Sequence, residues 1–297
     1  QYLSFLLYAY NVEAGRFRNF MTYARQWAEE VGSEDAHGRA IWGLGKSVAF
    51  LDNPGQLAMS TALFKQGLMA VEHFASPRAI AFALVGIHAY LQKFSGDSEV
   101  RKVRQILADR LFNQFKSNAS NDWPWLENTL NYANGKLSHA LLLSGQWMQH
   151  SDMIDMGLIS LNWLLSIQTE DGHFVPIGNN GWYEQGGPKA RFDQQPIEAH
   201  AMIEACVEAF NVTREKAWID SAVMCCNWFL GHNDLNMPLY DPKTGGCRDG
   251  LMADGINQNE GAESTLAWLL SLMTLQELYA DEILKQSSSQ STVSVKG

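Results

Sequence analysis

The chain has 297 residues, 46% of them hydrophobic and 18% charged, with a formal net charge of -10 at neutral pH. That balance belongs to a folded protein with a large core, and its acidity excludes the basic stripe that a nucleic-acid backbone or an anionic membrane surface requires. No apolar run approaches the roughly 18 residues of a membrane-spanning helix.

The chain begins at Gln1 with helix-like sequence, and a fragment or processed form of a longer protein is expected. From Gly15 to Glu30 the positions Phe17, Phe20, Met21, Ala24 and Trp27 recur at three and four, which predicts a helix. Ser33 is placed to cap a second helix that ends at the Asn53-Pro54-Gly55 turn. Helices over 56–73 and 78–94 follow, joined at Ser76-Pro77, and the second is so apolar that it is expected between other helices. An amphipathic helix is predicted over 99–116, then an irregular aromatic stretch, then helices over 129–149 and 152–168. The loop 172–195 contains a potential hairpin at 173–177. Pro196 opens a helix over 196–210 with Gln195 as its cap, and a further helix spans 214–230. A turn or small hairpin at 239–246 sits in the loop 231–258, and a last helix runs from Asn259 to about Leu278. The polar segment 285–297 reads as a tail after a single domain, 1–284.

Helices joined by short turns pack as antiparallel hairpins. The fold class expected is therefore all-α, an (α/α)6 toroid of six hairpins whose first hairpin is incomplete if the chain is truncated. Such closure explains why some helices are apolar nearly all round while others carry a charged face. It also gathers the N-termini of the inner helices, and the loops before them, at one rim whose dipoles favour carboxylates.

The long loops 118–128, 171–195 and 231–259 carry aromatic rings beside carboxylates and amides. A sugar ring needs both, an apolar plane for its C–H face and directed partners for its hydroxyls. Candidate catalytic carboxylates are Glu127, Asp193, Glu198, Asp249, Glu260 and Glu263, since glycosidic cleavage requires one acid and one base or nucleophile. Candidate substrate-binding residues are Asp35, His37, Trp123, Trp125, His173 and Trp182, with Tyr183, Arg191, Tyr240, Arg248, Asn257 and Gln258. Each has a structural alternative, such as capping or dipole matching for the acids near helix starts and core packing for the tryptophans around Pro124.

The eight histidines show no HExxH spacing, so no metal is expected. Glycine-rich nucleotide loops and a Gly-x-Ser-x-Gly elbow are absent from the sequence, so no cofactor and no serine nucleophile are expected. Cys206, Cys225, Cys226 and Cys247 form no framework and read as free core thiols, and a cytoplasmic location is favoured.

Several blocks carry a resemblance. They are His73-Phe-Ala-Ser-Pro-Arg78, Asp122-Trp-Pro-Trp-Leu-Glu127 with Tyr132 and Asn134, Gly172-His-Phe174, Arg191-Phe-Asp-Gln-Gln-Pro-Ile-Glu-Ala199, Leu239-Tyr-Asp-Pro-Lys-Thr-Gly-Gly-Cys-Arg-Asp-Gly-Leu251, and Asn257-Gln-Asn-Glu-Gly-Ala-Glu-Ser-Thr265. Together they resemble a bacterial helical domain found after glycosyltransferase domains, itself similar to the six-hairpin glycoside hydrolases and sugar epimerases. The resemblance implies that fold and an upstream glycosyltransferase domain as a partner absent from this chain. Two positions depart from the pattern, with Ala133 where an acid is expected and Glu260 where glutamine is expected. The expected activity is carbohydrate processing on an oligosaccharide or glycan, with glycoside hydrolysis leading. Epimerisation through a histidine such as His173 or His200, and a non-catalytic glycan-binding role, are the alternatives.

Overall fold

The computed structural model describes the backbone of residues 1–293, with side chains through Ala280 and at Glu282. Among the described residues there are ten α-helices and eight two-residue strands, the strands paired antiparallel in four two-stranded ladders. The helices are α1 (Tyr2–Ala9), α2 (Glu34–Phe50), α3 (Pro54–Val71), α4 (Pro77–Lys93) and α5 (Ser98–Asn118), then α6 (Asn134–Met148), α7 (Ser151–Ile167), α8 (Pro196–Thr213), α9 (Ala217–Phe229) and α10 (Ala262–Val293). Local chemistry sets their starts. The side chains of Ser33, Asn53, Ser76 and Asp97 each accept a backbone N–H three residues on, and Pro54, Pro77 and Pro196 occupy first-turn positions where their missing N–H costs nothing. The segment 285–297, expected as a tail, continues the backbone of α10 to Val293, and residues 294–297 lie outside the described residues.

The chain divides into two compact units, one of Gln1–Leu126 with Lys136–Ile159, the other of Glu127–Gly135 with Ser160 onward. In the first unit, α2 packs on α3 and α4, and α4 on α5. Every residue from Arg78 to Ile87 is buried, as a helix between neighbours requires. Gly45 and Gly86 face each other across the α2–α4 contact, and a Cβ on either would enter the opposing backbone; glycine is what lets these two helices touch.

The helix expected over 15–30 does not form. The segment instead makes β1 (Tyr10–Asn11) paired with β2 (Arg16–Phe17), followed by a loop in which Met21 bridges Trp27. The Glu29 carboxylate takes the N–H groups of Asn19 and Phe20 at 2.6 and 3.0 Å, and Arg25 sits at φ +60°, so the backbone groups a helix would use are spent elsewhere. The apolar spacing was coincidental: Phe17 is buried, but Phe20 and Tyr23 are exposed.

In the second unit α8 packs on α9 and α10, and 14 of its residues are buried. The four cysteines are free and buried. Burial, with the nearby charges of Asp249 and Glu260, pushes the Cys247 thiol up to about 12, which makes it inert at neutral pH. No helix among the described residues is long and apolar enough to cross a membrane.

Candidate active site

Two loops of the second unit are stitched together ahead of α8 and α10. In the first, the Gly178 N–H donates to the Ala190 carbonyl at 2.9 Å and the Asn179 N–H to the Asp193 carbonyl at 3.1 Å. In the second, β7 (Leu251–Met252) pairs with β8 (Gly255–Ile256), and the Asp249 N–H donates to the Asn259 carbonyl at 2.9 Å. Gln194 and Leu251 join the loops by exchanging backbone hydrogen bonds of 3.0 and 2.9 Å. Gly250 makes this approach possible, because a Cβ there would lie 2.6 Å from the Gln194 carbonyl oxygen.

Between the loops lies a cleft of about 450 Å³, within the range of small-molecule sites. Asn179, Asp193 and Gln195 line one side, and Asp249, Asn257 and Glu263 are among the residues of the other. Both helix N-termini border it, Gln195 preceding α8 and Gly261 preceding α10, so two positive dipole ends lie against the carboxylates.

The carboxylates differ in how they are held. Asp249 is braced: burial alone would raise its pKa, but Asn259, Ser264 and the Gly261 N–H, the last at 2.7 Å, outweigh that and hold it below the usual range. Asp193 has no side-chain partner among the described residues and stands at φ +60°, a left-handed conformation uncommon outside glycine. Glu263 is exposed in the first turn of α10.

The bracing of Asp249 gives stability a pH dependence. Its folded pKa is depressed, so its contribution is complete above the ordinary carboxylate pKa of about 4 and is lost as pH falls through the lower folded value. Melting curves of the protein and of D249N are therefore expected to differ most at neutral pH and to converge in acid as the pH falls through the lowered folded value; a gap that persists unchanged in acid refutes this role.

Of the residues singled out in the sequence, the cleft thus gathers Asp193, Asp249, Asn257 and Glu263. Others are committed elsewhere. Glu198 is 2% exposed and accepts the Ala133 N–H at 2.6 Å, so it holds the start of α6 rather than lining the cleft. Glu260 and Arg248 face each other at 3.2 Å, and Arg248 also binds Asp241 at 2.8 Å and the Gln258 carbonyl, bracing the second loop from inside. Arg191 bridges Glu170 and Asp234, both at 2.7 Å, and His173 contacts the same Asp234 at 2.9 Å. Tyr240 packs against Trp268 with ring centroids 5.0 Å apart.

Tyr183 lies in β6 (Tyr183–Glu184), which pairs with β3 (Thr129–Leu130), and Trp182 precedes it at φ +55°. Glu127 is half-buried and Gln258 exposed, outside the cleft lining. Asp35, His37, Trp123 and Trp125 belong to the first unit. Trp125 is fully buried with its ring edge-on to Phe115, and Trp123 is 5% exposed, so neither offers a face to a sugar. His37 is fully buried between the Phe17 N–H and the Gly67 carbonyl, and burial lowers its pKa to about 4, which fixes it as a neutral core residue. Asp35 pairs with Arg39 at 2.7 Å one turn along α2.

Asn179, Gln194, Gln195 and Ser264 line the cleft without having been singled out as ligand contacts. The doubled glutamine before Pro196 was the one available signal. Its meaning depends on Trp228 and Asp234, which are distant in sequence and bind the Gln194 side chain at 2.8 and 2.9 Å.

No family model matches the chain, and no curated protein matches it in sequence. Solved structures do match in fold. The GH76A α-1,6-mannanase from Salegentibacter sp. HEL1_6 superposes with a TM-score of 0.63 at 14% identity, over 94% of this chain and 86% of its own. Cellobiose 2-epimerase from Spirochaeta thermophila DSM 6192 gives a TM-score of 0.64 at 11% identity, over 93% and 78%. An unsaturated glucuronyl hydrolase specific for heparin gives 0.62 at 11% identity, over 84% and 68%. The fold is that of the six-hairpin (α/α)6 glycosidases and epimerases, as the helical pairing predicts.

Proposed function

We propose that the chain processes carbohydrate and that the cleft of the second unit cleaves a glycosidic bond by means of paired carboxylates. The observation that carries this reading is Asp193, a carboxylate without a side-chain partner among the described residues, in left-handed backbone, lining a cleft with Asp249 and Glu263. Asp193 and Glu263 are the reacting pair. One, protonated, gives its proton to the leaving oxygen, while the other, ionised, activates water or attacks the anomeric carbon. Asp249 is the fixed anion of the site. Asn179, Gln195 and Asn257 bind hydroxyls.

Support for a sugar ligand comes from the fold-mates, of which the mannanase is also known as an inactive variant in complex with α-1,6-mannotriose. Epimerisation has less support, because no histidine is among the residues lining the cleft and His173 is tied to Asp234. A non-catalytic role beside an upstream glycosyltransferase domain is the second reading, and it rests on the sequence blocks alone.

Incubation with gluco-, manno- and galacto-configured oligosaccharides, followed by chromatography and calorimetry, tests the proposal. Shortened products are expected. Binding without turnover would transfer the cleft to the accessory role, and neither binding nor turnover would end the carbohydrate reading.

A further inference from the structure

The two loops that build the cleft contain four lysine or arginine residues, Lys189, Arg191, Lys243 and Arg248. None of them is among the cleft's lining residues. Three are also neutralised in place. Lys189 binds Glu170 at 2.5 Å and the Ile167 carbonyl at 2.7 Å, Arg191 spans Glu170 and Asp234, and Arg248 is held by Asp241 and Glu260. The lining itself presents three carboxylates and otherwise amides, a hydroxyl, glycine backbone, one alanine and one methionine. An anionic group entering this space would lose hydration, meet like charge and find no cation among the lining residues to offset either cost. Recruiting Arg191 or Arg248 would break two ion pairs on each.

From this arrangement we infer that the cleft selects uncharged sugars and rejects uronates and sulfated or phosphorylated sugars. The inference rests on the carbohydrate reading above and adds the substrate class. Discrimination comes mainly from repulsion by Asp193, Asp249 and Glu263 rather than from contacts made only by the accepted sugar. The chain's net charge of -10 adds a long-range component that salt screens, whereas the contribution of the cleft carboxylates is screened less.

The test uses matched disaccharides that differ only at C6, a hexose carrying a hydroxymethyl group and the corresponding uronate, in gluco, manno and galacto configurations. Affinities are measured by calorimetry at neutral pH, in about 20 mM and about 500 mM salt. The hexose is expected to bind at least about tenfold more tightly at low salt. In D193N/E263Q, which removes two of the three charges, the ratio is expected to fall toward one whatever the absolute affinities. Equal or tighter uronate binding overturns the inference while leaving the carbohydrate reading in place, as does a ratio unchanged in the double variant. Failure of every hexose and every uronate to bind overturns both.

Discussion

Replacing Asp193 by asparagine is expected to lower kcat by about 10³-fold while leaving the melting temperature within about 1 °C of the parent. Two features make the substitution clean. The Asp193 carboxylate has no side-chain partner among the described residues, so folding loses no hydrogen bond with it. The residue stands at φ +60°, where asparagine is as comfortable as aspartate and alanine is not, the left-handed region costing an ordinary residue about 1–2 kcal/mol. Asp193→Ala would mix loss of the reacting group with backbone strain, and only the asparagine variant isolates the chemistry. Because Asn179, Gln195 and Asn257 remain to bind hydroxyls, KM is expected to change less than tenfold. Single-turnover kinetics beside a thermal melt make the measurement. Unchanged kcat with a confirmed substrate would remove Asp193 from the mechanism and leave Glu263 and Asp249 to be tried.

The helices were legible because their signals are local. Ser33 caps α2 as its hydroxyl predicts, and Pro196 opens α8, although Gln195 before it makes no side-chain cap bond. The one false helix, over 15–30, had the periodicity but no effective cap, and a glutamate ten residues along took the N–H groups that a helix turn would have used. The functional residues were harder for a specific reason: sequence shows which loops carry carboxylates and cations, but not which of them neutralise one another. Arg248 and Glu260 looked like two independent ligand groups and are a pair, and Arg191 is bound by Glu170, 21 residues before it, and by Asp234, 43 residues after it. The tryptophans are taken up in packing. Trp123 and Trp125 suggested a sugar platform, yet Pro124 between them marks a tight packed turn in which the Trp125 N–H donates to the Trp123 carbonyl at 2.7 Å. In the second unit Asp193 stands before α8, Glu263 lies in the first turn of α10, and Asp249 reaches the start of α10 by accepting the Gly261 N–H.

Gln194→Leu is expected to cost about 3–5 kcal/mol and to lower the melting temperature by about 10 °C. Gln194 is fully buried, and its amide does three things at once: it accepts the Trp228 indole N–H at 2.8 Å and donates to the Arg191 carbonyl at 2.8 Å and to Asp234 at 2.9 Å. Leucine fills similar volume but leaves the buried indole donor and the two part-buried acceptors without the amide. The backbone exchange with Leu251 survives, so the loops stay joined while the register that holds Asp193 in its left-handed turn loosens. Activity measured well below the new melting temperature is accordingly expected to fall by more than the fraction unfolded explains, mostly in kcat. Gln194→Glu separates the hydrogen bonds from the charge. A carboxylate placed against Asp234 has its folded pKa raised by repulsion and burial, so this variant is least stable above that raised folded value and regains stability as the pH falls through it toward the ordinary glutamate pKa. The leucine variant has no such group, and its deficit relative to the parent should be nearly the same at pH 5 and pH 8. If both variants melt with the parent, the amide is not what ties Asp193 to Trp228 and Asp234, and the alignment of the cleft must then come from the Gln194–Leu251 backbone pair alone.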